Sequence, residues 1–431
     1  MIYWAQLLHF YQPPTQFHPI LEKVCQESYH PLLRVLRAYP HARVTVNMNA
    51  VLTELLHQHG YEDVIRGLRE LAEAGQIEFT GSGKYHPILP LLPQDEVRRQ
   101  VQHNLRANRQ FFGPAYAPQG FFPPEMCYSK DILEPMLESG HQWFIMSGVG
   151  CPAKWPMDII HQVSLNGEKI AVIFRDDILS NKISFQQVTA DSFLKHVRDL
   201  RGKRENCYVV TAMDAETYGH HIKDWEKLFL AQVYEELEPA KQEPLTVKQT
   251  QVLAEQHRGL LASETMAKEV KMVTVSELLD LFPKGDIIEP KPSSWSTSDQ
   301  DIASKNPYPL WASPDNEVHR VQWQHLKMCI DMVKKAKLWA DTDGARDYGN
   351  IARGLLDRAL HSDQFWWASR RPWWEINLIN KGLLQQEETM LNAYKSIKSS
   401  RVDEERKAEY FYRFVAADYL RAKIFELLFQ V

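Results

Sequence analysis

The sequence predicts an α/β barrel followed by a C-terminal helical domain, and two observations support this prediction. Over the first two thirds of the 431 residues, short apolar runs typical of buried strands alternate with amphipathic, helix-like stretches. Such alternation favours a parallel sheet, and this many units favour closure into a barrel over an open sheet. After Phe282-Pro283-Lys284-Gly285, a loop rich in Ser, Pro and Asp extends from about residue 290 to 316, and the remainder is mainly helical. We therefore expect a barrel over residues 1–287 and a helical domain over residues 288–431.

Each predicted element has a local reason in the sequence. The strands are short, mostly apolar runs bounded by polar residues. The eight predicted strands are Ile2–Leu8, Arg43–Met48, Gln76–Thr80, Gln119–Phe122, Gln142–Met146, Lys169–Phe174, Cys207–Met213 and Lys271–Val275. The stretch Tyr61–Ala74 places apolar residues on one face and stops at Gly75, as helices commonly do. A second helix is predicted over Lys130–Ser139, and the Asn166-Gly167 pair predicts the tight turn of a β-hairpin.

Composition and charge exclude several classes of function. A net charge of -5 at pH 7 argues against a nucleic-acid-binding protein, which needs a basic face. No run of 18 apolar residues is present, so we expect no membrane span. The opening Met1-Ile2-Tyr3-Trp4-Ala5 lacks the basic region and cleavage site of a secretory signal. The five cysteines are scattered without a C-x-x-C pair, which suits a reducing compartment, so we expect a cytoplasmic protein.

Two segments place a carboxylate directly after a predicted strand. Glu125 closes the segment Gly120-Phe121-Phe122-Pro123-Pro124-Glu125, and Asp214 follows the run Cys207–Met213. The C-terminal strand ends of a barrel meet at one mouth, so we expect both acids there. Two carboxylates are the minimum equipment for cleaving a glycosidic bond with retention, because one attacks the anomeric carbon while the other donates a proton. The alternative for either acid is a structural role, as a helix cap or an ion-pair partner.

Five segments together resemble the motifs of glycoside hydrolase family 57. They occur in the family's order and extend from residue 9 to residue 367. The segments are His9-Phe10-Tyr11-Gln12-Pro13, Glu78-Phe79-Thr80-Gly81-Ser82-Gly83-Lys84-Tyr85-His86-Pro87, Gly120-Phe121-Phe122-Pro123-Pro124-Glu125, Met213-Asp214-Ala215-Glu216-Thr217-Tyr218-Gly219-His220-His221 and Ser362-Asp363-Gln364-Phe365-Trp366-Trp367. The resemblance implies a distorted (β/α)7 barrel whose C-terminal helical domain contributes to the active-site cleft. It also implies an oligosaccharide or polysaccharide substrate of the α-glucan type, cleaved with retention and without a metal or other cofactor.

The eight predicted strands exceed the seven that this resemblance implies. At least one of them is therefore expected to lie outside the barrel. The strands Gln142–Met146 and Lys169–Phe174 are the candidates for that position.

Matching the motifs residue by residue assigns candidate roles. By resemblance, Glu125 is the nucleophile and Asp214 is the general acid/base. His9 matches the histidine that reaches the sugar in the subsite before the cleaved bond. Asp363 and Trp366 match a late pair that the helical domain lends to the active site.

Further candidates belong to the side expected to face the substrate. Glu216 matches the second acid of the fourth motif, which contacts the substrate or supports a residue that does. Tyr11, His86 and Phe122 stand where many family members have histidine, glutamate and tryptophan, respectively. These differences bear on the identity of the substrate more than on the type of reaction.

Three residues outside the strongest motif positions complete the candidate set. Arg175 follows the strand Lys169–Phe174, where it either orients a carboxylate or forms a surface ion pair. His220 follows the acid/base strand and either bonds a sugar hydroxyl or lies at a polar rim. The ring of Trp311 in the interdomain loop either stacks on a sugar or anchors the loop to the core. Packing between helices is the expected role for most of Trp366, Trp367, Trp373 and Trp374.

Three functions follow from these patterns. The preferred one is a retaining enzyme that hydrolyses α-glucan or transfers a glucan segment to another sugar. The second is a metal-dependent carbohydrate deacetylase or mannosidase-like enzyme, with His9, His86 and Asp214 as conceivable zinc ligands. The third is a carbohydrate-binding protein without catalysis, although such a protein has no need of both Glu125 and Asp214. The sequence leaves the oligomeric state open.

Overall fold

The computed structural model describes residues 1–202, 204–238, 270–371 and 374–430 of the chain, and the fold is given for these residues. One curled sheet forms the centre of the molecule. Its strands are β1 (Ile2–Phe10), β2 (Val44–Met48), β3 (Ile77–Gly81), β4 (Gly120–Phe121), β5 (Trp143–Ser147), β6 (Ile160–Leu165), β7 (Glu168–Arg175), β8 (Cys207–Asp214), β9 (Val270–Val273) and β10 (Lys284–Ile287). All eight strands expected from the sequence are present, with ends that differ by one or two residues.

Seven parallel strands curl into the predicted barrel. Their order is β7-β5-β4-β3-β2-β1-β8, and every neighbouring pair in this series is parallel. The two edges of the series approach each other, because the backbone N–H of Asp176, just after β7, donates to the carbonyl oxygen of Val210 on β8 (2.8 Å). The Nε–H of Arg175 donates to the carbonyl oxygen of Ala212 (2.8 Å). The carboxyl ends of the seven strands therefore face one mouth.

One of the eight predicted strands lies outside the series, as expected, but it is neither of the two candidates. Both Gln142–Met146 and Lys169–Phe174 lie inside the parallel series, as β5 and β7. The strand outside the series is β9, which pairs with β1 from Ile2 to Ala5. Strand β8 pairs with one edge of β1. The other edge is shared: β9 pairs with its first residues, and β2 pairs with the residues from Gln6 onward. The apolar stretches of β5 and β7 fit a position with both faces covered, and four-residue β9 does not extend to the mouth.

A short antiparallel hairpin extends the sheet beyond β7. The Asn166-Gly167 pair adopts positive φ angles of 52° and 90° and joins β6 to β7, as the sequence predicts. Strand β10 pairs with β6 at the far edge. This strand was not expected, because Lys284-Gly285-Asp286-Ile287 lacks an apolar run and forms a strand only through its pairing with β6.

Helices cover the outside of the barrel. Their bounds are His18–Val24, His30–Ala38, Ala50–Gln58, Glu62–Glu73, Gln94–Phe112, Leu133–Glu138, Asp177–Ser184, Ala190–Leu200, Gln232–Glu236 and Val275–Leu281. The helix Glu62–Glu73 buries Val64, Leu68 and Leu71 and is followed by Gly75 at a φ of 70°, as the sequence predicts. The region of Lys130–Ser139 begins as a 3-10 turn before it becomes the helix Leu133–Glu138.

The second part of the chain is helical, as expected. After the loop, which contains the short helix Asp299–Ala303, the helices are Glu317–Leu338, Asp343–Ala359, Asp363–Trp366, Ile376–Ser399 and Glu404–Phe429. Several begin at a residue whose side chain caps the first turn, including Asn316, Thr342 and Asp403. No helix in the described ranges has the length and apolar character needed to cross a bilayer.

The barrel and the helical part share one apolar cluster. It combines Phe121 and Phe144 of the barrel with Leu326 and Phe365 of the helical part. A large shared apolar contact holds the two parts together more firmly than a polar interface would. The C-terminal helices are therefore joined to the barrel through this apolar cluster.

Charged side chains reinforce this contact between the long barrel helix Gln94–Phe112 and the helical part. Arg99 donates two hydrogen bonds of 2.7 Å to Asp357. Arg353 donates in the same bidentate manner to Glu96, at 2.8 and 2.9 Å. Bidentate guanidinium–carboxylate pairs fix orientation as well as contact, so they set the angle at which the helical part meets the barrel.

Candidate active site

One side of the mouth is carried by the ends of β1 and β8. Strand pairing places His9 directly opposite Asp214. The Nδ1–H of His9 donates to Oδ1 of Asn47 at the end of β2 (2.6 Å), so the imidazole is held by the neighbouring strand. Burial lowers the pKa of His9, while the nearby Asp214 carboxylate acts in the opposite direction. The register therefore brings the ends of β1 and β8 together at the mouth.

The carboxyl of Asp214 is half-buried at the last position of β8. Burial raises its pKa, and the neighbouring His9 and Arg175 lower it by smaller amounts. A carboxyl group in this environment holds a proton to a higher pH than a carboxyl in water. It can therefore donate that proton to a leaving oxygen.

Glu125 lies on a strained turn after β4. Its φ and ψ angles are 59° and 16°, and Met126 follows with a φ of 50°. Residues other than glycine seldom occupy this left-handed region, and such strain is common at functional sites. The turn is tightened by the backbone N–H of Met126, which donates to the carbonyl oxygen of Pro123 (2.7 Å). The fixed φ of two successive prolines, Pro123 and Pro124, restricts the chain just before the turn.

The carboxylate of Glu125 has partners from three distant segments. Its Oε2 accepts a hydrogen bond from Nε1–H of Trp295 (2.9 Å). Its Oε1 lies 3.4 Å from the hydroxyl of Ser362 and 3.6 Å from Nδ1 of His86. Burial raises the pKa of Glu125 well above its usual value, and the charges of Asp214 and Asp363 raise it further. Glu125 and Asp214 are therefore close enough to interact electrostatically.

A stack of rings lines this part of the mouth. The ring of His9 lies 4.7 Å from that of Phe122 and 4.9 Å from that of His86, and both contacts are nearly parallel. The ring of Tyr11 stacks on His86 at 4.0 Å. Burial lowers the pKa of His86 well below its usual value, and His9 lowers it further. Burial thus disfavours the charged form of both imidazoles. His9, His86 and Phe122 are buried, and Tyr11 is the only partly exposed ring of the four.

The helical part contributes Asp363 to the same place. The hydroxyl of Tyr11 donates to Oδ2 of Asp363, and Nδ1–H of His361 donates to the same oxygen (3.0 Å). The preceding residue, Ser362, donates its backbone N–H to the carbonyl oxygen of His86 (3.1 Å). The turn that holds Asp363 is therefore bonded to the barrel through both its backbone and its side chains.

Two of the predicted site residues, Glu216 and Arg175, bond mainly to protein groups. Glu216 is buried, and its Oε1 accepts hydrogen bonds from Tyr29 and from Gln12 (3.0 Å). Burial, followed by the Asp214 charge, raises the pKa of Glu216 to about 8. Arg175 pairs with Asp177 (2.8 Å) in addition to its bond to β8, so it links the ends of β7 and β8.

His220 and the two tryptophans occupy less central positions. Nδ1 of His220 lies 2.7 Å from Oε2 of Glu27, at a partly exposed rim. Trp311 is 1% exposed within the shared apolar cluster, which matches the anchoring alternative and leaves no ring face for a sugar. Trp366 is half-buried and packs against the shared apolar cluster and against a second cluster within the helical part. Trp373 lies outside the described residues.

Sequence reasoning missed three side chains of this site. Trp295 has no motif around it and lies in a Ser-rich loop, so nothing in the sequence singled it out. Ser362 belongs to the fifth motif segment, next to Asp363, and its contact with Glu125 was open to prediction from that context. His361 precedes that segment by one residue. Within the described ranges, no three His, Cys, Asp or Glu side chains gather in a group suited to a metal ion.

Comparison with known proteins gives a consistent result. The profile of Glycosyl hydrolase family 57 matches residues 6–288. An alpha-amylase of Pyrococcus abyssi is 25% identical over 220 residues, which cover 49% of this chain and 32% of the relative. A 4-alpha-glucanotransferase of Thermococcus litoralis is 23% identical over 220 residues, with the same two shares. The chain thus matches about a third of the length of these curated relatives.

Solved structures share the fold over nearly the whole chain. A branching enzyme from Pyrococcus horikoshii superposes with a TM-score of 0.67 and 18% identity, covering 96% of this chain and 94% of that one. An alpha-amylase from Thermotoga maritima gives a TM-score of 0.63 and 16% identity, covering 96% of both chains. At such identities the likeness concerns the fold alone, and it agrees with the barrel and the C-terminal helices.

Proposed function

This chain belongs to glycosyl hydrolase family 57, and from that premise we propose that it cleaves α-linked glucans with retention of the anomeric configuration. Glu125 is the proposed nucleophile and Asp214 the proposed general acid/base. The observation that carries the proposal is the pair of half-buried carboxyls at one mouth, which interact electrostatically and both have raised pKa values. We expect their oxygens to lie about 5–5.5 Å apart, the separation typical of double displacement.

The proposed reaction is a double displacement in two steps. The Glu125 carboxylate attacks the anomeric carbon, and the glycosidic C–O bond breaks with its electron pair on the leaving oxygen. That oxygen takes the proton of Asp214. In the second step, ionised Asp214 removes a proton from water or from a sugar hydroxyl. The oxygen freed of its proton then attacks the anomeric carbon and displaces Glu125, which restores both carboxyls to their first state.

The proposed substrate site combines the ring stack with Asp363. Tyr11 supplies a partly exposed ring, and the partly exposed Asp363 supplies a carboxylate for a sugar hydroxyl. The buried rings of His9, His86 and Phe122 belong to the same stack and hold Tyr11 in place. Hydrolysis and transfer share the covalent intermediate and differ only in the molecule that resolves it. The relatives include proteins named for each outcome, so either product type fits the proposal.

We also propose that the chain divides into a catalytic barrel over residues 1–287 and a helical domain over residues 288–431. The sheet ends at Ile287, and all later elements among the described residues are helical. Asp363 would then be a group that the second domain lends to the active site of the first.

Incubation with maltooligosaccharides, followed by chromatography of the products, tests the proposal. We expect shorter chains, or both shorter and longer chains if transfer dominates. Products that require Glu125 and persist after exhaustive chelation would argue against a metal-dependent deacetylase or mannosidase. Oligosaccharide binding by calorimetry without any product would instead support the carbohydrate-binding alternative and contradict the proposal.

A further inference from the structure

Trp295 contacts Glu125 at two points, although it lies in the segment between the barrel and the helical part. Its indole Nε1–H donates to Oε2 of the carboxylate (2.9 Å). Its backbone N–H donates to the carbonyl oxygen of the same residue (3.1 Å). One residue thus holds both the side chain and the backbone of Glu125, on the turn whose φ of 59° is unfavourable without support.

The surroundings of Trp295 restrict its own movement. Its ring meets His9 at 5.8 Å and Phe122 at 5.9 Å, both edge to face. The backbone N–H of Ser294 donates to Oγ1 of Thr297 (2.8 Å), and that hydroxyl donates to the carbonyl oxygen of Pro307 (2.7 Å). The indole is therefore a fixed donor whose direction is set before substrate arrives.

The two oxygens of Glu125 have unequal surroundings. Oε2 accepts a well-formed hydrogen bond from Trp295, whereas the nearest donor to Oε1 is the Ser362 hydroxyl at 3.4 Å. A hydrogen bond to a carboxylate oxygen is stronger while that oxygen keeps its negative charge, so the bond favours charge on the oxygen that accepts it. The oxygen held by the indole is the poorer nucleophile, and the other one is left to react.

We propose that Trp295 is a positioning residue for the reaction, which holds Oε2 of Glu125 so that Oε1 attacks the anomeric carbon. This inference rests on the proposed role of Glu125 as nucleophile. Trp295 acts through Glu125, and nothing in the proposal requires it to touch the substrate.

The hydrogen bond also has a consequence for ionisation. A donor to the charged form of a carboxyl lowers its pKa, so the indole partly offsets the effect of burial on Glu125. Without the indole N–H the pKa of Glu125 rises. Because the nucleophile must be ionised, the acidic limb of the pH profile then moves to higher pH.

The variant Trp295→Phe tests this with maltooligosaccharide as substrate. We expect kcat to fall about tenfold with little change in KM, and the acidic limb of kcat/KM to move up by about one pH unit. The matched control is Trp225→Phe, because the Nε1–H of Trp225 is buried and has no hydrogen-bond partner among the described residues. The control should keep the wild-type profile. An unmoved acidic limb in Trp295→Phe, in an otherwise active enzyme, would overturn the inference while leaving the proposed function intact.

A second measurement needs no substrate and no tryptophan variant. In wild-type protein labelled with 15N, one of the 12 indole Nε1–H signals should shift as Glu125 titrates. In Glu125→Gln, the same signal should no longer depend on pH in that range. If Glu125→Gln leaves all the indole signals and their pH dependence unchanged, the hydrogen bond is absent and the inference fails, whatever the enzyme acts on.

Discussion

The two sides of the proposed catalytic site are built in different ways. Asp214 and His9 stand at the ends of paired parallel strands, where the backbone ladder sets their positions. Glu125 stands on an irregular turn and Asp363 at the start of a four-residue helix, and side-chain hydrogen bonds from distant parts of the chain contribute to their positions. Trp295, which supports Glu125, is 170 residues away from it in sequence.

This difference extends to electrostatics. The strand side places His9 and Arg175 near Asp214, and both lower the pKa that burial raises. On the turn side, the charges acting on Glu125 are the carboxylates Asp214 and Asp363, and only neutral donors oppose them. The strand side thus has a permanent positive charge nearby, that of Arg175, whereas the turn side is held by hydrogen bonds from neutral donors. We expect substitutions on the two sides to have different signatures.

The largest effect is expected from the two carboxyls themselves. Glu125→Gln and Asp214→Asn should each reduce kcat on maltooligosaccharides by a factor on the order of 10³ or more, with unchanged circular dichroism. A nitrophenyl α-maltooligoside separates the roles of the two carboxyls, because its leaving group departs without a proton from an acid. On that substrate Asp214→Asn should still form the covalent intermediate, visible by mass spectrometry, and Glu125→Gln should not. Wild-type-like activity in either variant would contradict the site assignment.

A smaller effect is expected where the two parts of the chain meet at the mouth. Tyr11→Phe removes the hydroxyl that donates to Asp363, so kcat/KM should fall about tenfold. Tyr410→Phe is the matched control, since its hydroxyl donates to Asp331 in the helical part at 3.1 Å, apart from the described site. Equal kinetics for the two variants would show that the bond between Tyr11 and Asp363 does not position substrate.

The pH dependence of kcat/KM reports on the surroundings of both Glu125 and Asp214. Glu125 must be ionised and Asp214 protonated, so kcat/KM should fall as pH drops below the apparent pKa of the nucleophile and as it rises above that of the acid. Burial raises the pKa of both groups, so the bell should lie above the range of about 3.9–4.3 found for free carboxyls. Because the groups interact, the limbs report apparent values for the pair. An acidic limb inside that free range would contradict the role of burial.

The last effect is one of stability rather than of catalysis, at Glu216. Its folded-state pKa of about 8 exceeds the unfolded value of 4.5, so between these limits the unfolded state has lost a proton that the folded state keeps. Folding stability from this group is therefore fully present below the lower limit and falls as pH rises, by at most about 1.4 kcal/mol per pH unit. In Glu216→Gln, melting temperatures should decline less between pH 5 and pH 8 than in wild type. Parallel declines would show that this carboxyl ionises normally.

The sequence predicts the strand side of the site better than the turn side. The strands follow from apolar runs, a rule that acts within short windows. The register that sets His9 opposite Asp214 was not predicted, because it depends on how two distant strands align. Trp295 was missed because its role depends on a contact between segments with no shared pattern. For the same reason β10 was missed, since only its partner β6 makes it a strand. Trp311 has the same surface chemistry as a sugar platform, and only its 1% exposure identifies it as an anchor.

The apolar cluster shared by Phe121, Phe144, Leu326 and Phe365 limits how this protein can be taken apart. Cutting the chain between residues 287 and 288 would expose this hydrophobic surface on both fragments, and each fragment would be prone to aggregate. Engineers who wish to exchange the helical half for another should therefore carry over its barrel-facing side chains as a set. Unfolding of either half should melt the other with it.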